Sequence, residues 1–167
     1  MRRFLLLLMD IRILTEADAS DLWTINEECL PGVGQITQSA MADLVSLASL
    51  PMGAYQDDTL MGFVLCLPPG TRYASLNYAW FNERYDDFLY VDRIGVGQSH
   101  RDRSVGGHLY QRVIEEAVKL RCPIAAEINI EPPNPGSMRF HQRHGFEQVG
   151  TLSHGDKSVA MVMRPLS

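Results

Sequence analysis

Apolar and polar positions recur along this chain in an order that lays out its elements. Residues 9–14, MDIRIL, alternate as a half-buried strand does, then meet TEADASDLWTINEECL, where Thr15 with Asp18 reads as a helix cap opening an amphipathic segment to about Cys29. PGVG at 31–34 breaks that helix, and helical spacing resumes through Met41, Leu44, Val45 and Leu47 or Ala48 until Pro51. Two antiparallel strands follow in MGAYQDDTLMGFVLCLP, turning at Asp57 and Asp58. Residues 68–87 combine turn residues with Tyr73, Tyr78, Trp80, Phe81 and Tyr85, and predict a long loop that is either functional, of the lid kind, or a satellite hydrophobic cluster.

FLYVDRIGV at 88–96 is a fourth strand that leads straight into HRDRSVGGHL. From Val105 two overlapping rows, Val105, Leu109, Val113, Ala117 and Leu109, Tyr110, Ile114, Val118, keep helical spacing to about Leu120. PIAAEINI at 123–130 alternates as a fifth strand, with Ile124, Ala126, Ile128 and Ile130 on one face and Glu127 and Asn129 on the other. NPGSMRFHQRHGF is a short helix with Asn134 as cap, Pro135 at its first position and Gly145 just past its end. FEQVGTLS and KSVAMVMRP, joined by HGD, make a closing hairpin. Without an internal repeat or linker, 167 residues suit one domain, with residues 1–8 open to reading as an upstream extension if translation starts at Met9.

An apolar fraction of 46% with 21% charged residues is that of an ordinary soluble globular protein. A net charge of -5 argues against nucleic acid as a partner, so any anion site must be a local cluster. Cys29, Cys66 and Cys122 are too widely spaced for a disulfide framework or a zinc site, and suit a reducing, cytoplasmic compartment. His100, His108, His144 and His154 lack metal spacing, so no metal is expected. The apolar run after Arg3 is shorter than the ~7–15 residues of a signal core and far short of the ~20 of a membrane span, so it reads as strand and no membrane is expected.

The chemistry is concentrated in HRDRSVGGHL. A strand, a turn and a helix start gather unpaired backbone N–H groups at the positive end of a helix dipole. Gly106 and Gly107 leave the backbone bare, and Arg101 and Arg103 add charge to an otherwise acidic chain. A phosphate-bearing ligand is implied, most simply a pyrophosphate. GxxxxGK[ST] is absent, and the only GVG, at 95–97, precedes the helix without a third glycine, which weakens the nucleotide-fold readings.

RDRSVG at 101–106 resembles the [QR]xxGx[GA] acyl-coenzyme A signature of the GNAT superfamily of N-acetyltransferases. NPGSMRFHQRHGF is similar to a second segment of that superfamily, N-x-x-[AS]-x-x-[LF]-Y-x-x-x-G-F, in the expected order. Motif-level likeness spans about 88–146, and the order of elements extends it over 9–164. Ser104 stands for the first glycine, which a helical residue there would tolerate, and His141 stands for the family's usual tyrosine.

The resemblance implies an α/β (α+β) acyl-CoA N-acyltransferase fold: a mixed, mostly antiparallel sheet of about seven strands, splayed between strands four and five and flanked by about four helices. It implies acetyl-CoA as donor, with Ile94, Gly95 and Val96 along the pantetheine arm, and Arg101, Asp102, Arg103, Ser104, Val105, Gly106 and Gly107 around the pyrophosphate. Asn134 and Ser137 would border the cofactor. The reaction needs a base for an ammonium, a donor for an oxyanion, for which the Val96 N–H is the candidate, and a proton for the leaving thiolate. Asp92 or Glu127 is expected to organise the base, and His141, or else Tyr90 or Tyr110, the acid.

For the acceptor, Asn77, Trp80, Phe81, Tyr85 and Asn129 are candidate contacts, with Glu28, Asp86 or Asp87 drawing in an ammonium. The expected acceptor is a small-molecule amine; a protein N-terminus or lysine is the alternative. A reading of another class is a non-catalytic module that senses acyl-CoA. A homodimer, with the apolar N-terminal run at its interface, is compatible with the sequence.

Overall fold

The computed structural model describes residues 9–166, so the run at 1–8, with the readings placed on it, lies outside the described residues. Seven strands form one sheet in the order β1-β2-β3-β4-β5-β7-β6. The chain gathers into two compact units: one holds the described residues up to Ser46 with Leu50–Leu65 and Arg93–Leu109, the other Leu47–Ser49, Cys66–Asp92 and the chain from Tyr110 on.

In the first unit β1 (Met9–Ile13) pairs antiparallel with β2 (Leu50–Gln56), from Met9 opposite Gln56 to Ile13 opposite Met52. The cap anticipated at Thr15 is formed: its N–H donates to Asp18 Oδ2 at 2.8 Å, opening a short 3-10 turn before α1 (Ala19–Glu28). α1 buries Leu22 and Ile25, and α2 (Gln38–Leu47) buries Met41, Leu44 and Val45, the positions that carry the helical spacing.

β3 (Thr59–Leu67) is a nearly continuous apolar run, as a strand covered on both faces is, whereas β4 (Leu89–Val96) is buried at Leu89–Val91 and then alternates through Asp92 and Arg93. β5 (Ile124–Glu131) runs parallel to β4 but is registered with it only at Leu89 opposite Ile124 and Tyr90 opposite Ala125. Beyond that point the two strands diverge, and the edge of β4 that faced β5 is released. β5 continues antiparallel to β7 (Lys157–Arg164), which closes on β6 (Glu147–His154).

Three helices complete the chain: α3 (Leu76–Arg84), α4 (Val105–Leu120) and α5 (Pro135–Arg143). α3 occupies nearly half of the anticipated loop at 68–87 and brings the α-helices among the described residues to five, where about four were expected. Ser75 caps it, its Oγ accepting the Tyr78 N–H at 3.2 Å. Tyr78 and Phe81, one turn apart, go into the core with Phe88 and Tyr90, their ring centroids 5.2–6.3 Å apart. In α4 the row Val105, Leu109, Val113, Ala117 is buried, whereas Val118 of the second row is 63% exposed.

Candidate functional site: a left-handed turn and a carboxylate pair

In the first unit, β4 ends at Val96 and the chain enters a turn that delivers α4. Gly97 N–H donates to Met61 O at 2.8 Å, and a single 3-10 turn follows at Gln98–His100. Asp102 and Ser104 then adopt left-handed φ values of 64° and 59°. Such reversals turn successive N–H groups toward one side and form an anion-binding concavity. Ser104 is therefore not helical, contrary to the expectation. It precedes the helix and its carbonyl accepts the His108 N–H at 3.0 Å. A left-handed residue there gives a physical reason for a glycine at this position of the motif.

The first turn of α4 leaves its N–H groups without intrahelical acceptors. A Cβ added at Gly107 would meet nothing within 4 Å, so the space beside its Cα is open. Val105 is buried and pins the helix start. Arg103 is exposed and makes no ion pair among the described residues. Arg101 is already engaged, its Nη2 donating to Glu28 O at 2.9 Å. Glu28 likewise faces the turn, its Oε2 accepting the Gln98 N–H at 3.0 Å. On β4, Ile94 and Val96 share the half-buried face with Asp92, while Gly95 lies on the opposite face against Cys29 and Ile25. Arg93, on that second face, donates to Asn26 Oδ1 at 3.0 Å and Gly34 O at 3.1 Å, which makes it part of a polar framework.

In the second unit the parting of β4 and β5 is lined by a tyrosine and two carboxylates. Tyr90 hydroxyl donates to Glu127 Oε2 at 2.7 Å. Burial pushes the Tyr90 phenol well above its usual range, and the neighbouring Glu127 and Asp92 carboxylates push it further. Tyr90 is thus held neutral, as a donor to Glu127. β-strand alternation places Asp92 on the same side as Tyr90, two residues further into the opening.

α5 begins as its sequence requires, Asn134 Oδ1 accepting the Ser137 N–H at 3.2 Å with Pro135 in the first turn. A Cβ at Gly136 would meet open space. One turn on, His141 is 5% exposed and both its ring nitrogens are engaged. Nδ1 lies 2.8 Å from Ser137 O, a pure acceptor, so Nδ1 carries the proton; Nε2 then accepts from the Tyr110 hydroxyl at 2.6 Å. Burial lowers the imidazole pKa, with the Ser137 carbonyl opposing and His144 adding to the shift.

The anticipated acceptor contacts scatter. Phe81 is fully buried, Trp80 is half-buried over Gly150 with Arg84 above its ring, and Tyr85 lies beside both aromatics. Asn77 Oδ1 is buried without a hydrogen-bond partner. Asn129 is half-buried on β5 beyond Glu127, its carbonyl accepting the Asn134 N–H at 3.2 Å. Asp86 and Asp87 are exposed. Among the described residues no group of three or more His, Cys, Asp or Glu could hold a metal ion, and no helix is long and apolar enough to cross a membrane. The links from Glu28 to Gln98 and Arg101 join residues about seventy positions apart, which no local pattern announces.

Parallel strands that part after two registered positions, with a left-handed turn and open glycine at a helix start, define an acyl-CoA N-acyltransferase architecture. The sequence profile of the Acetyltransferase (GNAT) family matches residues 19–146, and the chain belongs to that family: it is an N-acetyltransferase. No curated protein matches it significantly by sequence. Similar solved structures include the ribosomal-protein-S18-alanine N-acetyltransferase from Escherichia coli, 14% identical with a TM-score of 0.74 over 96% of this chain and 95% of that one. Naa50 from Arabidopsis thaliana, in complex with the bisubstrate analogue CoA-Ac-MVNAL, is 17% identical with a TM-score of 0.71 over 93% and 97%. The yncA protein from Salmonella typhimurium, with its cofactor acetyl-CoA, is 15% identical with a TM-score of 0.70 over 96% and 95%. At these identities the likeness is one of fold.

Proposed function

We propose that the chain, acting as one domain, moves an acetyl group from acetyl-CoA to a primary amine by direct attack. The observation that carries this is the turn in which left-handed Asp102 and Ser104 lead into α4 beside the open Gly107. Acetyl-CoA supplies an acetyl carbon activated by its thiol leaving group. The N–H groups of residues 104–107 and the Arg103 guanidinium hold the pyrophosphate, and Arg101 and Asp102 shape that turn. The released edge of β4 at Ile94, Gly95 and Val96 offers backbone groups to an extended pantetheine arm, in the manner of an added strand. Asn134 and Ser137, at the start of α5, are the second unit's candidate contacts to the cofactor.

An alkyl ammonium with a pKa of about 10 must lose a proton before it attacks. Glu127, oriented by the Tyr90 hydroxyl, and Asp92 attract the ammonium, and Glu127 takes the proton directly or through one water. His141 has no N–H left for a thiolate, because its one proton is committed to Ser137 and its bare nitrogen to Tyr110. A thiol of ordinary pKa, about 8.5, leaves well enough as the anion to need no buried acid. His141 is accordingly assigned to holding α5 in place.

A small cationic amine is the first reading of the acceptor, because two carboxylates and a buried tyrosine select charge at short reach. A peptide amine is the second, supported by the bisubstrate analogue bound to Arabidopsis Naa50, which carries a peptide. Free Cys29, Cys66 and Cys122 suit the cytoplasm. The test is acetyl-CoA titration calorimetry on the wild type and Gly107→Trp, followed by thiol release on small amines and on peptides with free N-termini. Binding abolished in the variant, with turnover on one amine class that Glu127→Gln slows at least tenfold, is expected. No binding by the wild type would refute the reading, and binding without turnover on any amine would favour a sensor.

A further inference from the structure

Glu28 is the last residue of α1, and one carboxylate oxygen and its backbone carbonyl reach the same neighbouring segment. Oε2 accepts the Gln98 N–H at 3.0 Å, while the carbonyl accepts Arg101 Nη2 at 2.9 Å. The next side chain joins them, the Cys29 thiol donating to Val96 O at 3.5 Å. Two consecutive residues thus fasten both ends and the middle of 96–101, the stretch that brings the chain from β4 to left-handed Asp102 and Ser104. Gly97 allows the close approach, since a Cβ there would lie 3.3 Å from Met61 O and 3.8 Å from Glu28 Oε2.

Both polar links have a physical cause. Gln98 opens a single 3-10 turn, which is too short to sustain itself and has no internal acceptor for its first N–H. A carboxylate satisfies that donor with a charge-assisted bond. Arg101 sits at the negative end of the α1 dipole on a carbonyl that the ended helix leaves unpaired. One of its five N–H donors is therefore held by α1, which fixes the place of the guanidinium beside the turn.

We infer that Glu28 is a positioning residue for the phosphate turn, setting the place of residues 98–104 through Gln98 and Arg101; this rests on the reading that the turn holds the pyrophosphate of coenzyme A. Glu28 is an anion and does not bind the phosphates itself. Its loss weakens the grip on the phosphate half of the ligand, while the pantetheine half, held by β4 backbone, is affected less.

The test compares Glu28→Ala with Glu28→Gln, whose amide oxygen still accepts the Gln98 N–H. Coenzyme A affinity is measured by calorimetry, and the affinity of pantetheine, which lacks the pyrophosphate and nucleotide, by displacement of coenzyme A. The preference for coenzyme A over pantetheine is expected to fall roughly tenfold in Glu28→Ala, the equivalent of one charge-assisted hydrogen bond, and to be largely kept in Glu28→Gln. Melting curves show both variants folded if the inference holds. An equal loss for both ligands, an equal loss in both variants, or no loss in Glu28→Ala would overturn it. A wild type that binds coenzyme A no better than pantetheine would instead remove the phosphate-site reading on which it stands.

Discussion

Acid titrates His141, and the geometry fixes the sign of the effect. Nδ1 holds its proton against Ser137 O and Nε2 accepts from Tyr110, so a second proton would face a hydroxyl already pointing its own hydrogen there. Tyr110 would have to turn that hydrogen elsewhere, and a charge would stand among the rings of Phe140, Phe146 and His144. Burial lowers the folded pKa, whereas the unfolded chain titrates near 6.5. The unfolded state therefore binds more protons below that pH. The stability that His141 contributes is complete above about pH 6.5 and is lost as pH falls through the lowered folded value. One proton limits the slope to about 1.4 kcal/mol per pH unit, so a drop from about pH 6.5 to 5.5 removes up to roughly 1 kcal/mol. Urea denaturation at a series of pH values reads this directly. His141→Gln, neutral throughout, should remove its share of the slope. A wild-type curve flat across that window, or His141→Gln as steep as wild type, would refute the reasoning.

Ser104→Gly relieves a left-handed φ of 59°, and should stabilise the fold by up to about 1 kcal/mol in urea denaturation after the entropy cost of glycine is deducted; a loss of stability would argue against the left-handed turn. Gly150→Ala would place a Cβ 2.5 Å from the Trp80 ring, and is expected to cost about 1–3 kcal/mol and to shift tryptophan fluorescence. Tyr90→Phe removes the donor to Glu127, and should cost roughly tenfold in kcat with little change in coenzyme A affinity; steady-state kinetics alongside calorimetry would show it.

Where local pattern decides structure, this chain is legible. The Thr15 cap, the α2 row, the hairpin turn at Asp57 and Asp58, and the Asn134–Pro135 start of α5 all form where the residues place them. α3 was hidden because its nine residues follow turn-forming Pro, Gly and Thr and carry their aromatics at both core and half-exposed positions. Tyr78 and Phe81 supply only one turn of apolar spacing, too little to distinguish a helix from an aromatic loop. Val118 failed for the opposite reason: periodicity assigns a stripe to a helix but not the extent of the surface that covers it.

The candidate site divides along the same line, according to whether backbone or side chains do the work. Residues 101–107 stand out as a candidate because a backbone anion site demands particular conformations and open space, and these leave marks in residue type: glycine at 107, and a position at 104 where serine tolerates a glycine's φ. Side-chain roles depend on which strands part and where. Asp92, Tyr90 and Glu127 have plain strand periodicity, and only the end of the β4–β5 ladder at Tyr90 and Ala125 turns them into a polar opening. For His141, motif position suggested a proton donor, but the carbonyl at Nδ1 and the hydroxyl at Nε2 decide its tautomer, and neither partner can be read from spacing alone. Arg101 shows the same limit, since the Glu28 carbonyl that accepts its Nη2 lies 73 positions away and no local pattern announces it. In both residues an internal acceptor holds a donor that the motif alone would leave open, and only the folded chain shows which acceptor it is: the Ser137 carbonyl for His141 and the Glu28 carbonyl for Arg101.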